Sequence, residues 1–235
     1  MSHQVQQMFS AIASKYDFMN DLLSFGIHRR WRKKTVKLAE IQDRMKILDL
    51  ATGTGDLAFE FAKHGNVEVM GVDFCEPMLE IAKEKAKKYI PLTPFSKGEL
   101  NFQVGDATAL TFQDNLFDIS TISFGIRNVD SPLTCLNEMA RVVKPGGKVI
   151  VLEFGQPLGF LSLIYKIYSK MFMPILGKIF AKNFSAYLYL PETASKFPCR
   201  EKFIDLMEQT GNLTNCSYYT LSGGIAYIYI GKVIK

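Results

Sequence analysis

A chain of 235 residues, 48% hydrophobic and 22% charged, is long enough for one large α/β core and too polar for a conventional membrane protein. Its net charge of +5 is mild, and its basic clusters carry no recognition motif, so nucleic acid is not an expected partner. Cys75, Cys135, Cys199 and Cys216 form no Cys-x-x-Cys pair, and the three histidines are scattered, which argues against both a metal site and a disulfide framework.

Residues 1–28 include Met8, Phe9, Ile12, Tyr16, Met19 and Leu23, too apolar a set for a free tail, and are expected to form a lid segment. Met1-Ser2-His3-Gln4 does not open a secretory leader, so a reducing cytoplasm is the expected compartment. Residues 29–41 read as a helix, and 45–51 as a buried strand ending in a glycine-rich turn. A helix follows from Asp56, then a strand over 67–73, and then a helix from Pro77 to about Tyr89. Further strands are expected over 100–106 and 117–124. A helix over 132–143 leads to the turn Lys144-Pro145-Gly146-Gly147 and a fifth strand over 148–154. Strands alternating with helices imply a parallel sheet covered on both faces.

The rhythm then breaks. Residues 158–190 are rich in Leu, Ile, Phe, Met and Tyr but interrupted by Lys166, Lys170, Pro174 and Lys178, which argues against a spanning helix. A helical insertion capping a substrate, or touching a lipid interface, is expected there. A helix near 199–210 precedes strands at 215–221 and 225–234, joined by Ser222-Gly223-Gly224. So short a link makes those strands antiparallel neighbours. The whole reads as a single domain, 1–235, and nothing in it sets an oligomeric state.

Basic residues gather in His28-Arg29-Arg30-Trp31-Arg32-Lys33-Lys34 and at Lys83, Lys85, Lys87 and Lys88. Solvated helix faces explain them, and so does attraction to anionic headgroups at the inner face of a membrane.

The segment Asp49-Leu50-Ala51-Thr52-Gly53-Thr54-Gly55-Asp56 lies where the first strand meets a helix. Glycines there let the backbone approach a ligand, and the helix N-terminus offers free amides. Asp73 ends the second strand, where a carboxylate can accept both hydroxyls of a ribose. Asp106, followed by Ala107, ends the third, where it can accept an adenine amino group. A nicotinamide dinucleotide fits Gly53, Gly55 and Asp73 as well. Asp49 discriminates, because a carboxylate ahead of the glycines repels a pyrophosphate and attracts a sulfonium or an ammonium.

Taken together with Met8-Phe9-x-x-Ile12-Ala13-x-x-Tyr16-Asp17-x-Met19-Asn20, Leu23-Ser24-Phe25-Gly26-x-His28-Arg29-x-Trp31-Arg32, Phe124-Gly125-Ile126-Arg127-Asn128 and Leu152-Glu153-Phe154, the sequence closely resembles the ubiquinone/menaquinone biosynthesis C-methyltransferases nearly end to end. The resemblance implies a Rossmann-like class I methyltransferase fold: a seven-stranded, mostly parallel sheet with an antiparallel C-terminal hairpin and a helical cap. It implies S-adenosyl-L-methionine as cofactor and a polyprenylated quinol as acceptor, as in conversion of demethylmenaquinol to menaquinol or in ubiquinone synthesis. In the family's pattern Thr54, Asp73, Asp106 with Ala107, and Ser123 contact the cofactor. Arg127 is the first candidate for holding a phenolate, with Asn128 beside it. Tyr16 and His28 come from the N-terminal segment. Another small lipophilic acceptor, or an NAD-dependent oxidoreduction, is the alternative.

Overall fold

The computed structural model describes residues 3–64, 66–89, 99–157, 159, 162 and 192–234. Apart from Gly159 and Ser162, the cap expected over 158–190 lies outside the described residues. Helix α1 (His3–Ile12) leads through a 3-10 turn into α2 (Tyr16–Ser24) and α3 (Ile27–Ala39). Then β1 (Lys46–Leu50), α4 (Asp56–Ala62), β2 (Glu68–Asp73), α5 (Glu76–Tyr89) and β3 (Glu99–Val104) alternate. They are followed by β4 (Phe117–Ser123), α6 (Pro132–Val142) and β5 (Val143–Phe154). Helix α7 (Glu201–Glu208), β6 (Leu213–Leu221) and β7 (Ala226–Val233) complete the described elements.

The seven strands lie in the order β3-β2-β1-β4-β5-β7-β6. The first five are parallel, and β7 runs antiparallel to both β5 and β6. Successive strands step outward from β1 to β3, and the chain then returns to place β4 on the other side of β1. Ligands of open α/β sheets gather at such a switch point, beyond the carboxyl ends of the strands. Here that point lies past Leu50 and Ser123.

Period-two alternation sends neighbouring side chains into opposite cores. Leu48, Val149, Val151 and Tyr229 join Leu136, Met139 and Phe203 beneath α6 and α7. Ile47, Ile150 and Ile228 join Trp31, Val36 and Phe61 beneath α3 and α4. Each fully buried aliphatic side chain contributes about 1.5–3 kcal/mol, so a sheet buried on both faces is the main stabiliser. Caps fix the ends: Ser131 accepts from Thr134 N at 3.1 Å, with Pro132 at the first position of α6.

The expected turn at 144–147 is absorbed into β5. Phe117 pairs with Val143 and Ile119 with Lys148, so the extra residues bulge from the strand. Asp118 holds the bulge, accepting from Lys144 Nζ and from Lys46 N at 2.7 Å each. Gly147 admits no side chain there, because a Cβ would lie 2.5 Å from Asp118 O.

The first two helices pack beside the switch point. Gln6 Nε2 donates to Phe74 O at 3.1 Å, Ser10 Oγ lies 3.3 Å from Cys75 Sγ, and Ala13 is buried with Cys75 and Met78.

Candidate active site

At the end of β1 the backbone turns sharply through three positive φ values, Ala51 (47°), Gly53 (57°) and Gly55 (85°). Nothing lies within 4 Å of the position a Gly53 Cβ would take, so this glycine presents an open cradle. Gly55 is constrained instead, since a Cβ would meet Phe59 at 2.9 Å and Phe102 at 3.0 Å. Asp73 secures the loop from β2. One oxygen accepts from Gly53 N at 2.7 Å and the other from Cys75 N at 2.8 Å. Burial raises the Asp73 carboxyl despite those amide donors. An ionised carboxylate has roughly four acceptor positions, so acceptor capacity remains for a ligand's hydroxyls.

Asp49 is 1% exposed and register partner to Thr121. Its oxygens accept from Thr52 Oγ1 at 2.6 Å and Thr121 Oγ1 at 2.8 Å. Burial lifts its carboxyl to about 6, with the two threonine bonds acting in the opposite direction. Neither threonine was among the site residues singled out from the sequence. Beyond β3, Asp106 closes a tight turn by accepting from Thr108 N at 2.8 Å and Thr108 Oγ1 at 2.7 Å, and Ala107 is buried in the adjoining core.

Thr54 is 2% exposed and donates to Asp17 Oδ1 at 2.6 Å, which ties the glycine loop to α2. Lys85 reaches Asp17 at 2.6 Å, Asp56 at 2.9 Å and Thr54 O at 3.1 Å, while Arg32 pairs with Asp56 at 3.0 Å. Burial opposes a charge on Asp56, but Arg32 and Lys85 outweigh it and hold the carboxyl below its usual range. Asp17 and Lys85 were absent from the sequence-derived site. Asp17 stands in the Tyr16-Asp17 motif and Lys85 in a basic run, but neither position pointed to the other.

Past β4, Phe124 takes a left-handed φ of 57° and Gly125 packs against Ala51. Positive φ at two non-glycine residues on facing strand ends stores strain at the rim of the crevice. Gly125→Ala would place a methyl 2.3 Å from Ala51 Cβ. We expect at least about 1 kcal/mol of destabilisation, read as a lower thermal midpoint, together with weaker ligand binding as the rim opens.

Arg127 is buried against Glu153, with which it forms an ion pair, and donates to Phe124 O at 2.8 Å. Its guanidinium also lies 5.2 Å from the centre of the Phe154 ring. Burial pushes the Glu153 carboxyl up, against the attraction of Arg127. Among the described residues, Ser123 Oγ, Arg127 Nε and Glu153 Oε2 are buried without a hydrogen-bond partner. A buried polar atom left unpaired needs a partner, and a ligand's polar group at the strand ends would supply one. Asn128 closes the 3-10 turn, its backbone donating to Gly125 O at 3.0 Å.

Tyr16 is half-buried, its ring edge-on to Phe9. Burial raises its phenol, against a bond to Asn20 and the charges of Arg32 and Arg127. His28 is buried and hydrogen-bonded to Ser24, with Asp21 at 3.5 Å. Burial and the Arg32 charge lower it to about 4, so it is neutral at physiological pH and a weak base. The fold therefore brings Asp49, the glycine loop and Asp73 to one end of the sheet. Ser123, Arg127 and Asn128 join them there, while His28 is tied into the α2–α3 junction.

A model of the ubiE/COQ5 methyltransferase family matches residues 1–233. A Bdellovibrio bacteriovorus protein named ubiquinone/menaquinone biosynthesis C-methyltransferase UbiE is 47% identical over 232 residues, covering 97% of this chain and 95% of its own. A Thermus thermophilus demethylmenaquinone methyltransferase is 43% identical, covering 95% and 99%. Among solved structures, a Thermotoga maritima S-adenosylmethionine-dependent methyltransferase superposes with a TM-score of 0.66 at 20% identity, over 96% of this chain and 98% of that one. The [4+2]-cyclase SpnF gives 0.70 at 14% identity, over 100% and 97%. Likeness at that level establishes the fold alone.

Proposed function

The chain belongs to the ubiE/COQ5 methyltransferase family, and from that premise we propose that it methylates a ring carbon of a polyprenylated quinol in menaquinone or ubiquinone synthesis. The carrying observation is the buried Asp49 carboxylate beside the open Gly53 cradle, a negative pocket that suits a cationic donor and not a pyrophosphate. S-adenosylmethionine, when bound, supplies an electrophilic methyl on a positively charged sulfur. Asp73 would hold its ribose hydroxyls, Asp106 and Ala107 its adenine, and Asp49, Thr54 and Ser123 its amino acid end.

The rest of the work falls to the acceptor side. The quinol must lose its hydroxyl proton so that electron density reaches the attacking carbon. After transfer the ring proton leaves and the oxygen is reprotonated, a net release of one proton. A phenol titrates near 10, so a cation near its oxygen is the requirement. Arg127, held by Glu153, fills that role, and Asn128 assists it. Half-buried Tyr16 lines the acceptor's path from the N-terminal helices, which act as a lid, while buried, neutral His28 holds the α2–α3 junction. No helix among the described residues is long and apolar enough to cross a membrane. A lipophilic acceptor suits peripheral contact with a bilayer.

The deciding experiment is transfer of labelled methyl to paired naphthoquinol and benzoquinol acceptors under reducing conditions. Label in neither ring would remove this reading.

Acidification supplies a further check. The folded pKa of Asp49, about 6, stands above the unfolded value near 3.9. Protonated Asp49 thus favours the fold at low pH, and that contribution disappears as pH rises through about 6. Cofactor binding has the opposite trend, because only the ionised form attracts the cation. Calorimetry across that value should show donor affinity falling by up to about tenfold per unit of acidification, with the uncharged-sulfur product falling less. An identical profile for Asp49→Asn would assign the trend elsewhere.

A further inference from the structure

Helix α3 sorts its charges by face. At about 100° per residue, the buried stripe His28, Trp31, Arg32, Thr35, Val36 and Ala39 lies opposite Arg30, Lys33, Lys34 and Lys37. Those four cations, at i, i+3, i+4 and i+7, are all exposed. The helix contains no acidic residue, and the carboxylates around it are already held by other cations. Asp21 is held by Arg29, Asp56 by Arg32 and Lys85, Glu40 by Lys148, and Glu60 by Lys63. Lys34 lies 6.0 Å above the Tyr219 ring, and among the described residues no carboxylate lies within ion-pair distance of Arg30, Lys33 or Lys37. Like charges at these spacings repel and weaken the helix. An external polyanion would relieve that repulsion.

A second observation selects the polyanion. Phe25, in the turn into α3, is 83% exposed and adopts a left-handed φ of 49°, a conformation that favours glycine or asparagine. Phe18, seven residues earlier, is 55% exposed. A bulky apolar side chain that is both strained and solvated suits insertion at the boundary of headgroups and acyl chains, and not contact with a phosphate backbone.

We propose that the outer face of α3, with Phe25 as an apolar wedge, docks the protein onto an anionic phospholipid surface. The argument for a lipid surface rests on the lipophilic acceptor proposed above, and the assignment of this face rests on charge and exposure. Docking would bring the N-terminal end of α3, whose buried Trp31 packs against Phe124 at the crevice rim, close to the bilayer.

The full-length protein should co-sediment with phosphatidylcholine vesicles containing phosphatidylglycerol, and only weakly with phosphatidylcholine alone. The triple variant R30Q/K33Q/K37Q should bind the anionic vesicles on the order of 100-fold more weakly. Its turnover of a short-tailed, water-soluble quinol should stay unchanged. Phe25→Asn should lower vesicle affinity roughly tenfold while leaving thermal stability equal or higher, since asparagine accepts the left-handed backbone. Equal wild-type binding to neutral and anionic vesicles would overturn the proposal. So would undiminished binding by the triple variant, or retention on duplex DNA with no vesicle binding at the same salt. A wild-type chain that bound anionic vesicles but methylated no quinol would leave this surface standing and remove the function proposed above.

Discussion

Asp73→Ala should weaken S-adenosylmethionine binding by about 1.5–3 kcal/mol, or roughly 10- to 150-fold, the worth of hydrogen bonds to a charged group. Two losses combine in that figure. The ribose loses its carboxylate, and the Gly53 and Cys75 amides lose the acceptors that hold the glycine loop at 2.7 and 2.8 Å. Asp73→Asn separates them. Its amide oxygen can keep one backbone donor, but its nitrogen cannot accept, so the loop is partly restored and the ribose contact is not. Calorimetric titration with the demethylated product, which keeps the ammonium but lacks the sulfonium charge, removes the sulfonium's share of the Asp49 attraction from this term. If Asp73→Asn bound the product like the wild type, Asp73 would be a loop brace and not a sugar ligand.

Local signals were legible in the sequence, and long-range ones were not. The glycine turn and Asp73 could be read because strand, turn and strand end are set by nearby residues and by period-two burial. The same reasoning recovered the strands and the C-terminal hairpin. The bulge at 144–147 escaped because a Lys-Pro-Gly-Gly run signals a turn, whereas Asp118, brought alongside by β4, keeps the segment in the sheet. Asp49 could be placed, but its partner Thr121, 72 residues away, could not. Apolar residues showed that the N-terminal segment packs. They gave no hint that Asp17 reaches Thr54 across 37 residues. The basic run at 28–34 reads as one cluster, yet helical geometry turns Arg32 inward to Asp56 and leaves Arg30, Lys33 and Lys34 outside.

Arg127 presents a harder test, because its structural and chemical roles sit on one guanidinium. Arg127→Ala should cost about 3–5 kcal/mol of stability, since it leaves Glu153, 1% exposed, as a buried carboxylate without its cation. Glu153 already titrates above the usual carboxylate range through burial, and losing Arg127 raises it further. A folded pKa above the unfolded one gives stability that is complete at low pH and lost as pH rises through the folded value. The Arg127→Ala protein should therefore regain thermal stability on acidification, and Arg127→Ala combined with Glu153→Gln should lose that trend. Replacing both residues with apolar side chains of similar size, Arg127→Met with Glu153→Leu, should restore most of the stability, because an exchanged buried pair is often neutral. That double variant isolates the chemistry. If Arg127 steadies the phenolate, turnover should remain about 100-fold or more below wild type while donor affinity stays nearly intact. A well-folded double variant with wild-type turnover would reduce Arg127 to a strut for the loop after β4 and leave the phenolate to Asn128 and Tyr16.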